Sequence, residues 1–378
     1  IEKLSLEAKD TVLLVKSATV SSGESRIDVS GSVTYTKDKF IVDADMRGEK
    51  WVVVSTPEKP AGPDAPADPK PAAQSSSIIG NPEKVQELLH TVLGLPVAGT
   101  VRVDIGLLGI GRMQISPLVA SAMIAAPRVD LRIARAALCA IALSGSLTMT
   151  PENAEGTIKL SARGAQVAES ITCLTDQRLQ ITGKFDLDGD FSASGKPGTL
   201  LSVMQGKFSA VATDGRINKF DALAEVFKLV NVTQIVAGKA PDLGQSGMKY
   251  FSAKVNGKLT GRQIHLSEAS LDASGFKVVA QGTIDYASER IDVNVLFAPF
   301  QTANTVMNYI PILRRIFGGT VLAVPVHVGG TVAKPVVVPL GLQAMGSRLA
   351  DLLGNTLKLP GELIKVIPVA PTATATPP

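Results

Sequence analysis

Cys139 and Cys173 are the only two thiols of this chain, and His90, His265 and His327 are its three imidazoles. A thiol pair in a long, otherwise cysteine-free sequence can be a disulfide, half of a metal site or two unrelated core groups. A metal would want further Cys or His close by in sequence, and none is near; a disulfide is the favoured reading, and it implies an oxidising compartment. None of the histidines has a Cys, Asp or Glu at ligand spacing, so each reads as a surface or satisfied core residue. Asp186-Leu-Asp188-Gly189-Asp190 opens like a calcium loop. Its glycine comes two places early, however, and Pro197 stands where the bidentate glutamate belongs. Gly109-Ile-Gly111-Arg-Met-Gln lacks the third glycine of a dinucleotide site, and Gly189 to Lys196 is followed by Pro197, which spoils a phosphate loop. No Gly-x-Ser-x-Gly elbow occurs, and no nucleophile has a base beside it. The Asn231-Val-Thr triplet falls in an expected helix and reads as accidental. These residues predict no enzyme, no cofactor and no metal.

What the sequence does repeat is a glycine followed by strict alternation of apolar and polar residues. Examples are Gly31-Ser-Val-Thr-Tyr-Thr, Gly99-Thr-Val-Arg-Val-Asp, Gly145-Ser-Leu-Thr-Met-Thr, Gly156-Thr-Ile-Lys-Leu-Ser, Gly183-Lys-Phe-Asp-Leu-Asp and Gly282-Thr-Ile-Asp-Tyr-Ala. A period of two gives strands with one apolar and one polar face, and its recurrence predicts a mainly β fold: a long antiparallel sheet of similar hairpins. Pairing Tyr35 with Phe40 places Val33 on Val42 and Gly31 on Ala44, around a four-residue turn Thr36-Lys37-Asp38-Lys39. A distant hairpin repeats the arrangement: Tyr286 opposite Ile291 sets Ile284 on Val293 and Ala280 on Phe297, around Ala287-Ser288-Glu289-Arg290.

The expected organisation has an N-terminal hairpin part over 1–56, a Pro/Ala/Ser-rich linker or insert over 57–77, and the remainder over 78–378. Helices are expected near 82–93, 218–238, 305–317 and 342–359 from apolar residues at helical spacing, with a small helical insert near 165–174. The strand Val321 to Val328 and the proline-spaced Lys334-Pro335-Val-Val-Val-Pro339 lie between the last two.

Composition narrows the function. Hydrophobic residues make up 45% and charged residues 19%, with a net charge of +4, which describes neither a disordered chain nor a basic nucleic-acid surface. At 4% aromatics, the apolar faces are mostly Val, Ile, Leu and Ala. No window offers about 20 uninterrupted apolar residues; Val306 to Val328 comes nearest, with Arg314 and Arg315 in its middle. The start at Ile1, without methionine or leader, predicts a fragment or processed form whose targeting segment lies upstream.

The ordered series Gly206-Lys-Phe, Asp214-Gly-Arg-Ile217, Phe220-Asp-Ala-Leu, Asp285-Tyr, Ile310-Pro311-Ile, Phe317-Gly-Gly319, the Val-x-Val-Gly-Gly strand near Val328, Lys334-Pro335-Val and Pro339 before a leucine-rich helix resembles the AsmA-like C-terminal region of Gram-negative envelope proteins. Leu138-Cys139 and Cys173-Leu174 are also similar to that family's pattern. The resemblance runs over residues 95–360. It implies a curved, taco-like sheet with an apolar groove, of the YhdP/TamB bridge-like type. It also implies a periplasmic location, an inner-membrane anchor upstream, an outer-membrane end at the C-terminus, and phospholipid as the partner. On that reading the groove is lined by Val29, Val33 and Val42 in the first hairpin and by Val278, Ala280, Ile284, Ile291, Val293 and Val295 in the second. The chain then acts as a passive phospholipid conduit; a scaffold for outer-membrane protein assembly is the rival, and an enzyme acting on envelope polymers a fainter one. The missing anchor and the insert at 57–77 are departures from the family.

Overall fold

Alternation resolves into strands along most of the described chain. The computed structural model describes residues 2–22, 25–53, 94–110, 113–174, 180–219, 247–274, 276–299, 321–340, 349, 351–352 and 364–366. The first strands are β1 (Lys3–Lys9), β2 (Val12–Ser22), β3 (Ser25–Thr36), β4 (Lys39–Val53), β5 (Val97–Ile110), β6 (Met113–Ala125), β7 (Arg128–Leu138), β8 (Ile141–Met149) and β9 (Ala154–Gln166). Helix α1 (Val167–Leu174) follows, then β10 (Gln180–Ile181), β11 (Lys184–Gly195), a 3₁₀ turn at Pro197–Thr199, the short α2 (Leu200–Val203) and β12 (Gln205–Lys219). The last group is β13 (Met248–Thr260), β14 (Gln263–Ala273), β15 (Phe276–Asp285), β16 (Arg290–Pro299), β17 (Val321–Gly330), β18 (Pro335–Pro339) and β19 (Ile364–Val366). The fold is mainly β, and α1 lies within the helical insert that the sequence predicts.

Two compact units divide the chain. The first holds Ile1–Ser161 with Asp190–Met204, the second Ala162–Gly189 with Gln205–Pro378. In the first, β1 to β9 pair in chain order, antiparallel at every step but one. The exception corrects the all-antiparallel expectation: β4 and β5 run parallel, Phe40 beside Val97 through Val53 beside Ile110. Parallel neighbours need a long connection, and residues 54–96 separate these two strands. In the second unit β12 to β18 form an antiparallel ladder, to which β19 adds parallel to β17.

The first hairpin has the expected register, Tyr35 on Phe40, Val33 on Val42 and Gly31 on Ala44. Its turn is tighter than the four residues expected. Thr36 pairs with Lys39, and Lys37 and Asp38 take φ of 47° and 64°, the left-handed geometry of a two-residue turn that matches strand twist. The second hairpin is displaced by two residues from its expected register: Ile284 meets Ile291, Gly282 meets Val293, Ala280 meets Val295 and Val278 meets Phe297. The cause is Asp285. Its carboxylate accepts the N–H groups of Ala287 and Ser288 at 2.9 and 2.8 Å, so Tyr286–Glu289 becomes the turn and Tyr286 leaves the strand. A shift of two keeps every side chain on its predicted face.

The repeated glycines also find a physical role. Gly31, Gly145 and Gly282 each stand where the neighbouring strand carries one extra residue, between Val15 and Ala18, Ile133 and Ala136, and Leu266 and Ala269. Such bulges bend a strand and raise its twist. In these three copies the repeated unit marks a bend, not merely a strand start.

The linker at 57–77 and the helices expected at 82–93 and 305–317 lie outside the described residues, as does His90. Asn218 and Lys219, where a helix was expected to begin, are instead the last residues of β12, held there by pairing of Gln180 with Lys219; the rest of 218–238 is outside the description. Of the helix expected at 342–359, Leu349, Asp351 and Leu352 are described and are helical.

Candidate functional site

In the first unit the cross-strand pairs line up into continuous apolar rows. One runs Ala18, Val29, Met46, Val103, Ala120, Ile133, Gly145, Ile158. The next runs Val15, Gly31, Ala44, Val101, Ala122, Leu131, Leu147, Gly156. Every member of both rows is only half-buried. On the inner face of a sandwich, such central positions would be sealed. Burial varies along the strands: Ile27, Ile105 and Ala136 toward one end are 5%, 4% and 4% exposed, while Tyr35 and Phe40 at the other are 45% and 43% exposed. One face of this sheet is thus an aliphatic surface that its own unit leaves partly open.

The reverse face is polar. Asp45, Arg102, Ser121, Arg132, Ser146 and Thr157 stand side by side across six strands. The Arg102 guanidinium lies 2.8 Å from Asp43 and 3.5 Å from Asp45, and its hydrogen bond to Asp43 raises its already high pKa. Asp130 accepts from Arg128 at 2.7 Å and from Thr148 at 2.6 Å, and these two bonds, Arg128 first, hold its carboxyl below the ordinary range. Exposed pairs of this kind add little stability each; their effect is to keep this face wetted and the sheet oriented.

The second unit treats its apolar face differently. Tyr250, Phe276, Val293, Val295, Phe297 and Val326 belong to one buried cluster, with Phe276 and Phe297 stacked at 5.2 Å between ring centres. Tyr250 is 1% exposed and donates its hydroxyl to the Thr182 carbonyl at 2.6 Å; burial, then Asp214, pushes its pKa up. The residues expected to line a groove therefore separate. Val29, Val33 and Val42 are half-buried on the open face of the first unit. Val278, Ala280, Ile284 and Ile291 are half-buried and pack against the second unit's cluster, while Val293 and Val295, at 6% and 7% exposure, are inside it. The residues that reasoning on hairpins alone missed are those of β5 to β8, Val101, Val103, Leu131 and Leu147. Their alternation was visible, but the parallel step that joins them to β4 was not.

The motifs rejected for chemistry are used in structure. Asp186 accepts the Gly164 N–H at 2.7 Å, Asp188 pairs with Arg163 at 2.6 Å and Asp190 lies 3.8 Å from Lys159. His327 bonds Asn294 at 3.0 Å on β16. Among the described residues no group of three or more His, Cys, Asp or Glu could hold a metal, and no helix is long and apolar enough to cross a membrane. Cys139 and Cys173 are both disulfide-bonded. No family model matches the chain, and no curated protein or solved structure matches it.

Proposed function

We propose that this chain is a passive conduit for phospholipid in the periplasm, carrying acyl chains between inner and outer membranes along the open apolar face of its first unit. The observation that carries the reading is the pair of aliphatic rows spanning β2 to β9, each member half-buried, backed by a polar reverse face. Pulling a two-tailed phospholipid out of a membrane costs about 0.8 kcal/mol per exposed CH₂, on the order of 20 kcal/mol in all. Transition-state arithmetic turns that into roughly one escape per hundred seconds. A surface that keeps the tails out of water removes most of this barrier without any reacting group. The contacts are non-directional, so the reading asks for no catalyst and no cofactor. The resemblance to the AsmA-like region points the same way.

Native mass spectrometry of the purified chain, with photoreactive side chains placed at Val33, Val101 and Leu131, tests the proposal. Bound glycerophospholipid crosslinked at these positions is the expected result. Lipid-free protein, or bound lipid that crosslinks at none of these positions, would overturn it.

A second reading draws on β1. Among the described residues it pairs only with β2, and it presents Leu4 and Leu6 at 53% and 48% exposure. A strand paired on one side within these residues can add a strand of an outer-membrane protein client on its other side. Capture of an unfolded porin by lipid-free protein would favour this scaffold role over the conduit.

A further inference from the structure

At one strand end of the first unit, the division into apolar and polar faces breaks down. Tyr35 and Phe40 end the open face, their rings tilted at 47° with centres 5.1 Å apart. On the reverse face of the same strand ends, where one row further in Asp43 stands beside Thr100, the neighbours are Val12, Thr34, Ile41, Ala98 and Ala125. Tyr35, Phe40, Ile41 and Leu95 are 45%, 43%, 44% and 51% exposed, so both sides of the sheet offer large apolar groups to solvent here. The three adjoining loops are held together at this end: the Tyr35 N–H bonds the Thr11 carbonyl at 2.8 Å, and the Phe40 N–H the Pro96 carbonyl at 2.8 Å.

We propose that this strand end docks into the interfacial region of a phospholipid bilayer. The inference rests on the conduit reading and names where the open face meets its source of lipid. Two-sided apolarity is unfavourable in water and favourable at a bilayer boundary, where aromatic rings sit at headgroup depth and lysine stems lie along apolar surface with their charges in water. The turn residues have that character. Lys9, Lys37 and Lys39 stand against Asp10 and Asp38, and the Tyr35 hydroxyl donates to Asp38 at 3.0 Å. Three cations over two carboxylates leave a surplus that complements anionic headgroups. Both hairpin turns reach this boundary with their residues in left-handed geometry, Asp10 at φ 52° and Lys37 and Asp38 at 47° and 64°, so they project as tight tips and not as wide polar loops.

The test uses the full chain and vesicles of phosphatidylethanolamine with phosphatidylglycerol. In flotation, the combined Tyr35→Ser, Phe40→Ser and Ile41→Ser variant is expected to lower the vesicle-bound fraction about tenfold, with its circular dichroism that of the parent and its thermal midpoint lowered by only a few degrees through loss of the Tyr35–Phe40 pair. A Phe40→Trp substitution in a Trp51→Phe background gives a second reading that does not depend on the triple variant folding. Brominated lipid in the vesicles is expected to quench its emission. Binding unchanged in the triple variant, or emission untouched by brominated lipid, overturns the inference. Concentration-dependent self-association through these residues without vesicle binding also overturns it. Co-purified phospholipid on the open face is scored separately, so loss of docking with lipid retained removes this inference and leaves the conduit standing.

Discussion

Gly31 and Gly282 occupy equivalent places in two hairpins far apart in the chain: φ is 153° at one and 152° at the other, and each lies opposite a strand that bulges by one residue. A side chain at either position would run into a facing carbonyl, that of Asp43 or that of Asp292. Glycine is required here by both the dihedral and the space. Gly31→Ala and Gly282→Ala are each expected to destabilise the protein by about 2 kcal/mol or more, since neither the strain nor the clash can be relieved without moving a strand. Denaturant unfolding of the two variants checks this; a midpoint equal to that of the parent would show that the bend tolerates a side chain.

One carboxylate placed on each apolar face should separate the two units. Val101→Asp introduces charge on a half-buried surface, so the fold should lose no more than about 1 kcal/mol while co-purifying lipid drops several-fold. Val293→Asp strands the same charge inside the cluster with Phe297 and Val326, where the expected outcome is failure to fold. Circular dichroism and lipid extraction on the pair distinguish a transport surface from a core.

Reduction provides a third check. Both cysteines are disulfide-bonded, a constraint on the unfolded chain, and reduction should lower stability by roughly 3–4 kcal/mol in the chain-entropy account. Cys173→Ser should show the same lowered midpoint with and without reductant, whereas the parent should fall to it only when reductant is added. Thiol titration of the oxidised protein should find no free group.

Acid sensitivity is predicted at the second hairpin. The Asp285 carboxyl is held below its ordinary pKa chiefly by the N–H of Ser288, with help from Ala287 and Arg262. A carboxyl with a lower pKa folded than unfolded stabilises the fold fully above the unfolded value, and that contribution disappears as pH falls through the folded one. The turn should therefore loosen as pH drops below about 4. Asp285→Ala should remove this part of the acid dependence, read by carboxylate chemical shifts and by amide exchange at Ala287 and Ser288.

These particulars also mark how far the sequence could be read. Alternation fixes which face a residue takes, and it paired Val33 with Val42 correctly because a short turn leaves little freedom in register. It missed the two-residue displacement around Asp285, because a carboxylate that caps a turn looks in sequence like one more outward strand residue. Nor could it reveal the parallel step at β4, since pairing of distant strands leaves no local mark. Most of all, Val101 and Val293 carry the same alternating signature, yet one is half-open and the other sealed. Periodicity gives a side chain its direction; only the third dimension decides what covers it.

The rows that cross β2 to β9 are built of Val, Ala, Ile, Leu and Met, standing in for one another from strand to strand, with glycines set among them. Such a surface demands oiliness from its members and is indifferent to their identity. Exchange of one aliphatic side chain for another should therefore cost little along most of the ladder, whereas Gly31 and Gly145, whose missing side chains leave room for a facing carbonyl, are the points in these rows where the residue itself is demanded.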